Sequence, residues 1–204
     1  CKMAVEHNDV AYPMRSIVEV TYAPRKSRIR KGHTLPETKV VWYDGDHQPP
    51  ADIMPQVVAT LRAVPRTGCF LIGTKGVLCS LSDYGQTALI ALNGETKVRS
   101  TTKHPACKAF GSYLPRRKEK GELGIYGEFL EAIKGEIPII GETNSRCYAD
   151  VEHSIPMMEG MLVGCIAQRV PGVLEWDSAN QVFRNSHEAD RYVKPYIRSG
   201  WEFA

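Results

Sequence analysis

The order of its elements constrains this chain most: strand-like segments dominate the first hundred residues, and helical spacing takes over afterwards. Arg15 to Ala23 (RSIVEVTYA) and Glu37 to Tyr43 (ETKVVWY) read as strands, rich in β-branched and aromatic residues. Cys69 to Gly73 and Gly76 to Leu81 read as a hairpin turning at Thr74-Lys75. Ala88 to Leu92 and Thr96 to Val98 read as two more strands around Asn93-Gly94. Ala51 to Leu61 reads as a short helix with Asp52 in its first turn. Further on, Leu123, Tyr126, Leu130 and Ile133 recur at helical spacing, and Gly135 and Pro138 stop that helix. Tyr148 to Arg169 is the longest helical stretch, with Val151, Ile155, Met158, Leu162, Cys165 and Ile166 on one stripe and Pro156 inside it. A hairpin, Val173 to Asp177 with Gln181 to Arg184, and a short helix from His187 capped by Ser186 complete the pattern. Strands first and helices later, without strand–helix–strand alternation, predict an α+β fold: a large, mostly antiparallel open sheet with helices packed on one face. The other face is then left to solvent, another domain or another chain.

The 204 residues are enough for one domain with a proper core, and the chain is read as a single domain over 1–204. With 43% hydrophobic and 24% charged residues it belongs among ordinary globular chains. A net charge of +3 is too mild to point to nucleic acid. The basic runs Arg25 to Lys31 and Arg116 to Lys120 lie among Pro, Ser and Gly and read as solvated loops, with a patch for phosphate or an acidic partner as the alternative, and Arg25 to Pro36 reads as a mobile loop. Residues 99–121 read as an irregular, polar surface segment. No apolar run is long enough to span a bilayer, so no membrane partner is expected. The six cysteines show no Cys-x-x-Cys pair, and Cys69, Cys79 and Cys165 lie inside apolar runs as small core hydrophobes. No glycine-rich dinucleotide fingerprint opens a strand–turn–helix unit anywhere.

Several segments in order resemble the carboxy-terminal domain of the Gfo/Idh/MocA oxidoreductases, most closely the bacterial group with a long carboxy-terminal domain. They are Trp42-Tyr43-Asp44-Gly45 with Pro49-Pro50, Gly73-Thr74-Lys75-Gly76 with Tyr84-Gly85, and Glu128 to Gly135. Leu174 to Asp177, Asn185 to Ala189 and Arg198 to Trp201 follow, so the likeness runs from about Ser16 to Trp201. It departs at Asp46, where the group has a second Gly, at Phe129 for Trp, and at Ile125 and Tyr126, where relatives often carry a His pair. The resemblance implies a parent protein with an amino-terminal Rossmann domain that binds NAD or NADP. A catalytic Lys in a Glu-Lys-Pro motif and an Asp…His pair would lie upstream of Cys1. Glu119-Lys120-Gly121 lacks that Pro, so no catalytic, cofactor-binding or metal residue is carried onto this chain. The chain, opening on Cys1 rather than Met, reads as a carboxy-terminal part that is inactive by itself.

Trp42, Tyr43, Asp44, Asp46 and His47 form the densest aromatic and polar mixture, and sugars are gripped by aromatic faces with carboxylates. They are candidates for the substrate cleft, with Tyr126 and His153 beside them; the bland alternative is that Trp42 packs on the sheet while Asp44 satisfies a turn. Lys75 between glycines reads as part of a tight turn rather than as a phosphate site. His7, His33 and His104 read as surface side chains, Trp176 and Trp201 as core or interface anchors, and Met157, Met158 and Met161 as core packing. The implied function is the substrate-binding and oligomerisation domain of an NAD(P)-dependent oxidoreductase of a sugar or polyol. Its partners would be the Rossmann domain, copies of itself through the open sheet face, and a small carbohydrate. The alternatives are a domain of an NAD-dependent glycoside hydrolase of the same family, or a non-enzymatic carbohydrate- or partner-binding module. The cytoplasm is the default compartment, export being known among relatives of this type.

Overall fold

Seven-residue strands that alternate in and out fix the first unit. In the computed structural model, which describes residues 2–3, 10–27, 31–82, 85, 88–108, 122–136, 151–194 and 196–201, β1 (Lys2–Met3), β2 (Ser16–Tyr22) and β5 (Thr38–Asp44) form an antiparallel sheet in the order β1-β2-β5. The register sets Ser16 opposite Asp44, Val18 opposite Trp42, and Val20 opposite Val40. Directly opposed residues share a face, so Trp42 and Asp44 stand with Ser16 and Val18, while Tyr43 stands with Ile17 on the reverse. That reverse face is partly polar, and Lys39 pairs there with Glu19 at 3.1 Å. The segment between the strands, read as a mobile loop, pairs with itself as β3 (Arg25–Lys26) and β4 (Thr34–Leu35).

Helix α4 (Val151–Ala167) lies on β2 and β1 and continues through Pro156, without the hydrogen bond that the missing N–H would have donated. Its inward face is made of small residues. A Cβ on Gly160 would stand 2.0 Å from the Tyr22 hydroxyl, and one on Gly164 3.5 Å from Val18 Cγ1. One turn on, Gln168 donates to the buried Ser16 hydroxyl at 2.8 Å. The core gathers Val18, Val163, Ala167, Val170, Leu174, Phe183 and Ala189. This overturns the reading of the methionines as core: Met157, Met158 and Met161 are all exposed, as are Val151, Ile155 and Leu162 of the stripe. Close helix–sheet approach needs small side chains at the contact, so the large apolar ones are turned away.

Past the helix, β10 (Trp176–Asp177) and β11 (Val182–Phe183) pair as the predicted hairpin, and α5 (His187–Asp190) follows. Ser186 caps α5 by accepting from the Ala189 N–H at 3.2 Å. Asn185 clips the approach to the hairpin, donating to the Val173 carbonyl and accepting from the Glu175 N–H. Trp176 packs half-buried against this core beside Phe183, as an anchor should, whereas Trp201 is exposed. Helix α3 (Glu122–Lys134) forms where the spacing placed it, with Ile125, Phe129, Leu130 and Ile133 exposed.

The chain divides into two compact units, Cys1–Gly45 with Leu114–Ala204, and Asp46–Tyr113. In the second, β6 (Cys69–Gly73), β7 (Gly76–Ser80), β8 (Ala88–Leu92) and β9 (Arg99–Ser100) make a four-stranded antiparallel meander, turning at Thr74-Lys75 as predicted. Asn93 ties that turn down, donating its N–H to Lys75 and its amide to Thr74 at 2.9 and 2.7 Å. The helix predicted over 51–61 splits at Met54 into a 3-10 turn (Ala51–Ile53) and α1 (Pro55–Leu61), since Pro55 sits at the first helical position. Met54 and Val57 fill a core with Val77, Cys79, Ala91 and Val98. The fourth strand starts at Arg99, not Thr96. The Val98 N–H donates to Thr60 Oγ1 of α1 at 2.9 Å and so takes no part in the ladder. Helix α2 (Pro105–Lys108) closes this part, and the polar stretch from 109 to 121 lies outside the described residues. The α+β class with antiparallel pairing holds, divided among several small sheets rather than one large one.

Candidate functional site

The end of β5 positions three of the candidates. Trp42 is 61% exposed although it stands on the face that α4 covers over β2, because β5 is the edge strand. Asp44 is exposed beside it, and its Oδ1 accepts from the Gly45 N–H at 2.9 Å, which is turn work. Gly45 lies at φ 64°, and a Cβ there would stand 2.0 Å from the Met14 carbonyl, so the turn requires glycine. Tyr43 is half-buried on the opposite face. The tripeptide therefore does not converge: only Trp42 and Asp44 face one side.

Asp46 and His47 begin the second unit. Asp46, at φ 70°, reaches the exposed Arg66 guanidinium at 3.5 Å. His47 is half-buried. Tyr126 is exposed on α3, and His153 lies on α4 with its side chain outside the described residues. Among the described residues, no group of three or more His, Cys, Asp or Glu is placed to hold a metal ion.

Two groups escaped the sequence reading. His104, taken for a surface residue, is only 3% exposed. Its Nε2 meets the Glu95 carboxylate at 3.1 Å, and its Nδ1 accepts from the Ala106 N–H at 3.2 Å. The accepting Nδ1 makes Nε2 the donor, so both ring nitrogens are committed and the pair locks the β8–β9 connection. The Leu92 N–H and then His104 hold the Glu95 carboxyl below the usual carboxylate range. No signal local to His104 distinguishes it from a solvated histidine, because its partner lies nine residues back across a turn.

The second group is a groove of about 850 Å³ along α4, within the range of small-molecule sites. Ile155, Met158, Leu162 and Ile166 form its apolar wall, and Tyr12, Trp176 and Tyr192 its aromatic one. Trp176 Nε1 donates to Glu159 Oε1 at 2.7 Å, and the Arg169 guanidinium lies 4.3 Å from the Tyr12 ring centroid. The spacing of Gly160, Gly164 and Ala167 was the available clue. A small-residue face inward implies a large apolar face outward.

Elsewhere the chemistry is structural. Arg184, with the Asn180 side chain and N–H adding, holds the Asp177 carboxyl down at about 2, which fixes the hairpin turn. Burial, with the neighbouring Cys69 thiol adding, pushes the Cys79 thiol up, as for an inert core residue. Cys69, grouped with it from sequence, is exposed, and Cys165 is half-buried beside the groove.

In the second unit, the meander has apolar residues on both faces. Val77, Cys79 and Ala91 belong to the core with α1, while the register aligns Leu71, Leu78 and Ile90 on the reverse. Leu71 there is 61% exposed. No protein-family model, curated protein or solved structure matches this chain.

Proposed function

We propose that this chain is the substrate-binding and assembly domain of an NAD(P)-dependent oxidoreductase acting on a sugar or polyol. A Rossmann domain elsewhere in the parent protein would supply the cofactor, the catalytic Lys and the hydride chemistry. One observation carries the assembly part of the reading: large apolar side chains stand exposed on regular elements in both units. Leu71 and Ile72 on β6 and Val40 and Trp42 on β5 are the instances. Isolated domains keep contiguous apolar patches small, so such faces suit burial by a neighbouring domain or subunit. Trp42 with Asp44 supports the carbohydrate part, an aromatic face beside a carboxylate at an open edge. The motif order from Trp42 to Trp201 supplies the link to the family.

The coding sequence upstream of Cys1 tests this. A glycine-rich dinucleotide fingerprint followed by a Glu-Lys-Pro motif is the expected finding, and a different upstream domain would contradict it. In the intact enzyme, Asp44→Ala is expected to raise KM more than it lowers kcat, as loss of ground-state binding does. Unchanged kinetics would return Asp44 to its turn.

The exposed Trp42 beside Asp44, presented without any second domain, also suits a second reading, a non-enzymatic carbohydrate-binding module. Calorimetry separates the two. The module binds a sugar without cofactor, whereas the oxidoreductase domain needs its Rossmann partner to complete the cleft.

A further inference from the structure

We propose that the groove along α4 binds an elongated amphiphile with a single anionic end, held at Arg169. The reading is independent of the oxidoreductase assignment, because the groove lies within the first unit and shares no lining residue with the end of β5.

Arg169 supplies the anion contact. Its guanidinium carbon lies over the Tyr12 ring, 4.3 Å from the centroid, and a cation–π contact of this kind leaves N–H donors for a carboxylate or phosphate. Among the described residues Arg169 forms no ion pair, so no described carboxylate neutralises its charge. The helix on the amino-terminal side of Arg169 sets the body of the ligand. From the end of α4 at Ala167 back to Glu159 is eight residues, about 12 Å of helix at ~1.5 Å each, and Arg169 stands in the turn just beyond. Ile166 and Leu162 line that run and Met158 adjoins its far end, where Trp176 meets Glu159. A flexible apolar chain of that length, rather than a compact polar ring, fits such walls.

Glu159 sets the direction. Its carboxylate is pinned by the Trp176 N–H at 2.7 Å and has no cationic partner among the described residues. A second anion at that end would be repelled, so the ligand has its charge at Arg169 only. A hydroxyl at the far end would be welcome, since a carboxylate accepts and does not donate.

The test is calorimetric titration of the whole chain with dodecanoate, kept monomeric, and with dodecanol as the uncharged match. Dodecanoate is expected to saturate a single site. Arg169→Met, with Arg169→Gln as a second replacement, should weaken it by about tenfold or more while leaving dodecanol nearly unchanged. Leu162→Trp, which adds bulk at an exposed position, should weaken both probes. Circular dichroism checks that each variant is folded. Failure to saturate, many equivalent weak sites, or equal loss of dodecanoate and dodecanol in the Arg169 variants would each overturn the proposal. So would light scattering that shows the groove covered by a second copy, with Leu162→Trp splitting a dimer that never binds dodecanoate.

Discussion

The two units bury their sheets by opposite means. In the second, Met54 at the start of α1 and Val57 within it pack on Val77, Cys79 and Ala91, and each of these is almost fully buried. In the first, α4 brings glycines to the sheet and carries its large apolar residues outward. One sheet is covered by volume, the other by close approach. A helix held close by small residues leaves its bulky face free to line a groove. The contrast teaches that apolar periodicity identifies a helix without saying which side faces in.

Substitutions that probe each mode should separate cleanly, and the largest loss belongs to the filled core. Met54→Ala removes a fully buried side chain and is expected to cost about 3 kcal/mol in urea unfolding, within the range for such cavities. A loss under about 1 kcal/mol would mean that this core collapses around the gap. Gly160→Val comes next. The new side chain meets the Tyr22 hydroxyl, so the Tyr22 ring or the helix must shift, and overpacking of this kind costs about 2 kcal/mol. Thr60→Val follows at about 1–2 kcal/mol, because it leaves the Val98 N–H buried without its acceptor, while Thr60→Ser retains most stability.

Acid sharpens the comparison further. The folded Asp177 carboxyl titrates at about 2 against an ordinary value of 3.8, so its folded pKa is depressed. The stability it gives the β10–β11 hairpin is present above about 4 and is lost as pH falls through about 2. The Trp176 indole resonance, followed by NMR, should report this loss in wild type. In Asp177→Asn it should show no titration over that interval; an identical titration would mean that another group controls the hairpin.

Where local chemistry decided the structure, the sequence was legible. The Thr74-Lys75 turn, the Ser186 cap, both long strands and the hairpin around Asn180 follow from neighbouring residues, and each formed where its signals stood. What failed depended on partners far along the chain. Val98 left the ladder because Thr60 took its N–H, His104 is buried where Glu95 reaches it, and Met158 faces out because Gly160 and Gly164 face the sheet beside Tyr22 and Val18. The site shows the same division. Trp42 and Asp44 were identifiable from composition, but their separation from Tyr43 follows from pairing with β2. Arg169 drew no notice because its significance comes from Tyr12, over 150 positions away.

The inside-out packing of α4 is tested most directly by Met158→Gln, measured beside Gly160→Val in the same urea series. The structure predicts that the glutamine variant stays within about 0.5 kcal/mol of wild type, as an exposed position should, while the valine variant loses several times more. A loss of about 2 kcal/mol or more for Met158→Gln, with Gly160→Val left unharmed, would place the methionine face against the sheet and contradict the account.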